Sequence, residues 1–197
     1  MSGKVWRYVI GLFICSLGVS LVISADVGAM PWDAVYVGFS EKIGLTVGSW
    51  TFIFQLLFIL LAATFERKKP DLRIFVSAFI NALFIDFLLL FLLKPIPFSS
   101  FDPLIKWSVF VLGLLLLAVG IRVYVASGFP KTPEDELMFA VASRFTISFS
   151  LAILFIDGSG LISAFFVGGP VGFGSIISPI LLGIFLRISL KPELLET

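Results

Sequence analysis

Hydrophobic residues run in long stretches along the chain, and the charges fall between them. Six stretches are nearly free of charge: Tyr8 to Ala25, Ile43 to Phe65, Ile74 to Leu93, Trp107 to about Ala126, Phe145 to Val167 and about Val171 to Leu190. Each has close to the roughly 20 residues that a helix needs to cross about 30 Å of hydrocarbon. The pattern predicts an all-α polytopic membrane protein with six transmembrane helices, folded as one integral membrane domain over residues 1–197. The first stretch is longer than the roughly 7–15 apolar residues of a cleaved signal peptide, so it reads as a span. The fifth contains Asp157-Gly158-Ser159-Gly160, which has turn chemistry. Two readings stay open there: a span continuous from Phe145, or an outer loop preceded by a helix that starts near Leu137.

A second pattern lies on top of the first. Leu17–Gly28 (LGVSLVISADVG) lines up with Leu117–Gly128 (LAVGIRVYVASG). Each is followed by a proline–acid pair, Met30-Pro31-Trp32-Asp33 in one half and Thr132-Pro133-Glu134-Asp135 in the other. Each pair opens a short amphipathic stretch: Trp32, Val35, Tyr36 and Phe39 fall at helical spacing, as do Leu137, Met138, Val141 and Phe145. Proline suits the first helical turn, and an acid there faces the positive end of the helix dipole. Thr132 with Asp135 fits a capping box. The repeating unit is therefore span, short interfacial helix, span, span, over about residues 5–95 and 104–190. Three crossings per unit make the second copy enter from the opposite side. Such inverted repeats are common in secondary transporters, with the binding site between the halves.

Composition agrees and narrows the function. Of the 197 residues, 59 % are of the set AVILMFWYC and 14 % are charged, against about 25 % charged in soluble domains. Mean hydropathy is +1.11. A soluble enzyme, a disordered chain and a nucleic-acid binder are excluded, and a net charge of +1 gives no field to steer a polyanion. There are no histidines and one cysteine, Cys15. An intrachain disulfide and a thiolate zinc cluster are thus impossible, and no metal or cofactor is expected. Cys15 reads as a small buried hydrophobe. The basic residues decide orientation. With the N-terminus in the cytoplasm, eleven fall inside (Lys4, Arg7, Arg67, Lys68, Lys69, Arg73, Arg122, Lys131, Arg144, Arg187 and Lys191) and three outside (Lys42, Lys94 and Lys106). Both termini are therefore expected in the cytoplasm.

Ionisable groups inside a span are costly and point to function. At about 1.5 Å per residue, Asp86 and Asp157 both fall roughly 18 Å from the cytoplasmic boundary, and Arg122 roughly 8 Å from it. Two carboxylates at one depth can share a proton or hold a cation. Arg122 lies too near the inner face to pair with them, and is expected to snorkel inward or to meet Glu134, Asp135 or Glu136. Asn81 precedes Asp86 on the third span. Gln55 reads as an interhelical hydrogen-bonding group. Asp33 and Asp135 read as helix caps or as paired gate groups. Gly168-Gly169-Pro170-Val171-Gly172-Phe173-Gly174-Ser175 opens the sixth span. Gly172, Gly174 and Ser175 either expose backbone N–H groups to an anionic substrate or make a tight, closely packed turn.

The Gly28…Pro31-Trp32-Asp33 element, the Asn81-Ala82…Asp86 span and the late glycine-rich element together resemble the YczE/YitT family of bacterial inner-membrane proteins. The resemblance covers nearly the whole chain. That family usually has Gly-Thr where Gly174-Ser175 stands here, and often a similar pair where Val76-Ser77 stands. The soluble C-terminal domain of YitT-type members is missing, so the YczE-like branch fits better. The resemblance implies a multi-pass protein of the bacterial inner membrane more than it implies a reaction. The sequence thus points to a secondary transporter or exporter of a small molecule, coupled to protons or cations. A non-transporting accessory or substrate-capture subunit is the alternative. An intramembrane aspartyl enzyme is disfavoured, because Asp157 precedes its glycines and Gly172-Phe173-Gly174 is followed by serine, so no enzyme is expected. The partners expected are the lipid bilayer and a small-molecule substrate; a homo-oligomer is left open.

Overall fold

The computed structural model describes residues 2–70, 72–129 and 132–189. The expected positions of Lys131 and Lys191, and the end of the second repeat at Leu190, lie outside them. The described residues form eight helices and no strand: α1 (Ser2–Ser24), α2 (Pro31–Ile43), α3 (Val47–Glu66), α4 (Leu72–Phe87), α5 (Pro103–Val125), α6 (Pro133–Phe145), α7 (Phe149–Val167) and α8 (Phe173–Ser189). A π-helical turn, Leu88–Leu92, prolongs α4.

Five of these helices are long and apolar enough to cross a membrane: Gly3–Ser24, Val47–Glu66, Arg73–Leu92, Pro103–Val125 and Phe149–Val167. The sixth, α8, is apolar but shorter over its described length. Asp157 lies inside the unbroken α7, not in a loop, so Gly158 and Gly160 are helical. Gly160 has a packing reason: a Cβ there would sit 3.0 Å from Trp32 Nε1.

Helix starts follow the local chemistry. Pro31, Pro103 and Pro133 each occupy the first turn of a helix, where a missing N–H costs nothing. Asp102, Thr132 and Ser148 accept a backbone N–H at their N-caps. The two short helices each pack one face against the long helices. Six of the 13 residues of α2 are buried, Pro31 and Ala34–Gly38 among them, and Leu137, Met138 and Ala140 of α6 pack on Phe58 and Ala62 of α3.

At the centre, α1 and α5 run antiparallel in backbone contact. A Cβ on Gly18 would stand 2.6 Å from the Gly113 carbonyl oxygen. One on Gly11 would stand 2.6 Å from the Tyr124 nitrogen, and one on Gly120 2.6 Å from the Cys15 nitrogen. Small residues let membrane helices approach this closely where apolar lipid offers no hydrophobic drive. Around this pair, α2 packs on α7 and α6 on α3, while α4 lies on α1 and α8 on α5. The last helices of the two halves differ: α4 packs along α3, whereas α8 diverges from α7.

Candidate functional site

All eight helices contribute to a cavity of about 260 Å³. Its walls are mostly apolar, with Leu12, Ile85, Leu117, Met138, Ile153 and Leu182 among them. Four carboxylates line it as well: Asp33, Glu134, Asp135 and Asp157. No lysine or arginine among the described residues does.

The placement of Asp33 and Asp157 follows from their neighbours. Trp32 anchors the first turn of α2, donating from Nε1 to the Ile156 carbonyl at 3.2 Å and setting its ring edge-on to Phe58 at 4.8 Å. Bonding Trp32 to Ile156 brings the next residue of each helix, Asp33 and Asp157, to the same side of the cavity. Thr132 caps α6, accepting from the Asp135 N–H at 3.3 Å and donating to Asp135 Oδ2 at 2.8 Å. Tyr124 of α5 donates to the same oxygen at 3.0 Å. Asp135 is thereby satisfied. Asp33, Glu134 and Asp157 have no hydrogen-bond or ion-pair partner among the described residues.

That arrangement sets the protonation of the two short helices. Asp33 is half-buried, with its open side in the cavity, and burial followed by the negative charge of Asp157 pushes its carboxyl up to about 7. Glu134 is raised well above the usual carboxyl range by burial first, then by Asp157, Asp33 and Asp135. The first turns of α2 and α6 both open on this space, so two positive helix ends partly offset the carboxylates.

Other polar groups complete the lining. The Ser16 hydroxyl donates to Asn81 Oδ1 at 2.7 Å, which ties α1 to α4. Gln55 of α3 is 8 % exposed, lines the cavity, and its Oε1 has no hydrogen-bond partner among the described residues. Pro179 of α8 removes a helix hydrogen bond to the Ser175 carbonyl, and the Ser178 hydroxyl takes over that acceptor at 3.3 Å.

Of the residues singled out in the sequence, Asp33, Asn81, Asp135 and Asp157 line this cavity, as do Cys15, Gln55 and Glu134, whereas Asp86, Arg122, Gly172, Gly174 and Ser175 do not. Asp86 is level with the first turn of α3 rather than with its middle. It accepts from the Thr46 hydroxyl at 2.5 Å and the Gly48 N–H at 2.7 Å, and so caps that helix. The shared depth expected for Asp86 and Asp157 therefore does not bring them together. Arg122 is exposed and makes no ion pair among the described residues; of its two expected fates, the pairing with Glu134, Asp135 or Glu136 does not form, and its exposure is compatible with the other, snorkelling inward. Gly172, Gly174 and Ser175 form a joint with the α1–α2 loop. The Gly174 N–H donates to the Val27 carbonyl at 2.9 Å, and the Gly172 N–H to Ser175 Oγ at 3.1 Å. A Cβ on Gly174 would stand 2.6 Å from the Gly28 carbonyl oxygen. These N–H groups are spent on packing and do not line the cavity.

Sequence reasoning did not assign Glu134 or Gln55 to a site. The signal for Glu134 was three consecutive acids, Glu134, Asp135 and Glu136, in one first turn, where a cap uses only one. Gln55 sits in a 20-residue apolar helix, and nothing in the spacing shows which way it faces.

The comparisons with known proteins agree with the membrane architecture. Residues 3–191 match DUF6198, described as a family of unknown function. The chain belongs to the DUF6198 family. Among similar proteins, the uncharacterized protein YyaS of Bacillus subtilis (strain 168) is 36 % identical over 187 residues, covering 94 % of this chain and 91 % of its own. The uncharacterized membrane protein YczE of the same organism is 34 % identical over 188 residues, covering 95 % and 85 %. An uncharacterized protein of Haemophilus influenzae (strain ATCC 51907 / DSM 11121 / KW20 / Rd) is 24 % identical over 168 residues, covering 84 % and 73 %. No solved structure matches. The resemblance to YczE drawn from the proline–acid, Asn81…Asp86 and glycine-rich elements therefore holds for this DUF6198 member. Together with its apolar helices, that likeness identifies a multi-pass membrane protein.

Proposed function

We propose that the protein is a secondary transporter that moves a small molecule across the bacterial inner membrane, using carboxylates of the central cavity for proton or cation coupling. The observation that carries this reading is the cavity itself. It is lined from all eight helices, and three of its carboxylates have no partner among the described residues. Partly buried acids without partners destabilise a fold, and a protein that keeps three in one space gains something other than stability from them.

The helix arrangement supports an inverted-repeat design. Exchanging the two halves turns the α2–α7 contact into α6–α3 and the α1–α4 contact into α5–α8, and all four contacts are present. Six spans with both ends in the cytoplasm follow from that design and from the eleven-to-three split of basic residues. Alternating access by rocking of one half against the other suits a site placed between the halves.

The test is flux. Purified protein is reconstituted into vesicles enclosing a pH dye, and small molecules are added outside in turn. A transporter gives substrate-dependent proton movement that falls to the level of protein-free vesicles in Asp157→Asn. An absence of flux for every compound, together with a stoichiometric membrane partner that co-purifies with the chain, would overturn the reading in favour of an accessory subunit.

A further inference from the structure

We propose that the central cavity takes a small organic cation with at least one N–H group, a primary amine in its ammonium form, bound in exchange for protons carried on the cavity carboxylates. This rests on the transport reading for its biological use, but the site stands on its own geometry.

Charge is the first argument. The titratable groups that face the cavity are Cys15 from α1, Asp33 and Tyr36 from α2, Tyr124 from α5, Glu134 and Asp135 from α6, and Asp157 from α7; α3, α4 and α8 contribute none. Every one of them is neutral or negative, and the positive ends of α2 and α6 offset four carboxylates only in part, so the space disfavours anions and suits a single positive charge. The second argument is independent of the acids. Gln55 Oε1 is a buried acceptor without a donor, in a side chain 8 % exposed on the cavity wall. A buried acceptor left unmade is costly, and an ammonium N–H satisfies it where a quaternary or metal cation offers no hydrogen.

No three Asp, Glu, Cys or His side chains among the described residues are close enough to hold one metal ion. The carboxylates are spread around apolar walls instead, which suits a molecule with a charged end and a hydrocarbon body. A volume of about 260 Å³ lies just under the range of roughly 300–1,000 Å³ typical of small-molecule sites, so the body is small. Exchange follows from several carboxyls sharing one apolar space. At low pH the carboxyls hold their protons; an arriving ammonium supplies the positive charge instead, and the displaced proton leaves as the cation seats. One positive charge enters and one leaves.

The experiment uses one molecular body with three charges: phenethylammonium, phenethyl alcohol and phenylacetate. Binding to the full-length protein in detergent is measured by calorimetry at pH 6 and pH 8, in two buffers of different ionisation enthalpy so that released protons are counted. Phenethylammonium is expected to bind on the order of tenfold or more tighter than either analogue, because only it meets the buried charges. Its affinity rises from pH 6 to pH 8, with protons released on binding at pH 6. Glu134→Gln and Gln55→Leu each weaken it, and Gln55→Leu does so with the proton release unchanged. Equal binding of the three compounds, tighter phenylacetate binding, or no binding of phenethylammonium, methylammonium and putrescine alike overturns the proposal. The comparison of ligands on the unmutated chain stands even where a variant misfolds. Cation binding without vesicle flux sinks the transport reading and keeps this one. Flux of the neutral or anionic analogue without cation binding does the reverse.

Discussion

A single bond between Trp32 and Ile156 decides where two acids sit, and that placement has a thermodynamic signature. An isolated aspartate protonates near 3.8, and Asp33 is held up to about 7. The folded form therefore binds this proton more tightly than the unfolded form. Its contribution to stability is complete below the unfolded value and is lost as pH rises through 7. Asp33→Asn removes that loss, so the fall in melting temperature between pH 5 and pH 8 is expected to shrink in the variant; an unchanged fall argues against a raised Asp33. Asp86 is the contrasting case. Its two bonds fasten the start of α3, so Asp86→Ala is expected to cost about 2 kcal/mol of stability while leaving amine binding intact, which thermal unfolding and calorimetry together check. The difference between these two acids was not legible in the sequence. Counting residues along a span gives a depth only if the bilayer boundary is known and the helix is straight. Asp86 is followed at once by a π-helical turn, and its partners Thr46 and Gly48 lie some 40 positions earlier.

The helices themselves were readable wherever a local rule governed them. Pro31 and Pro133 mark the two short helices, and the charge-free runs mark the spans. What the runs hid was which faces meet. The seam between α1 and α5 depends on Gly11, Gly18, Gly113 and Gly120, four glycines whose spacing looks like ordinary membrane-helix usage until the partner helix is known. Gly18→Leu places a side chain where the backbone of α5 already is. It is expected to cost about 3 kcal/mol or more, beyond the usual overpacking range because backbone rather than a rotamer must move. Gly158→Ala in α7 meets open space and is expected to stabilise by up to about 1 kcal/mol from helix propensity alone. Unfolding of the pair in one detergent checks both, and equal effects would contradict the seam. The short helices were expected from their amphipathic spacing; which long helix each one docks on was not legible, because the contacts of Trp32 with Phe58 and of Leu137 with the Phe58–Ala62 cluster join distant parts of the chain.

At the scale of the whole molecule, the distribution of basic residues, legible in the sequence, leads to the expected sidedness, whereas the cavity shows only once the helices are packed. The six-span arrangement predicts that Lys42→Cys is labelled by an impermeant maleimide from outside intact cells, whereas Lys68→Cys is labelled only after the membrane is opened. The natural Cys15 is 7 % exposed and donates to the Leu117 carbonyl at 3.8 Å, so it stays silent in both assays and need not be replaced. Labelling of both introduced cysteines from one side would reverse or break the topology. The glycine seam has a further effect on a protein of this kind. Where two backbones touch there is no room for a water molecule, and a proton hops only along connected waters or polar groups. On the transport reading, the α1–α5 contact would work as insulation: it closes one flank of an acidic chamber to water, so that a coupled proton gradient would not be short-circuited along that seam.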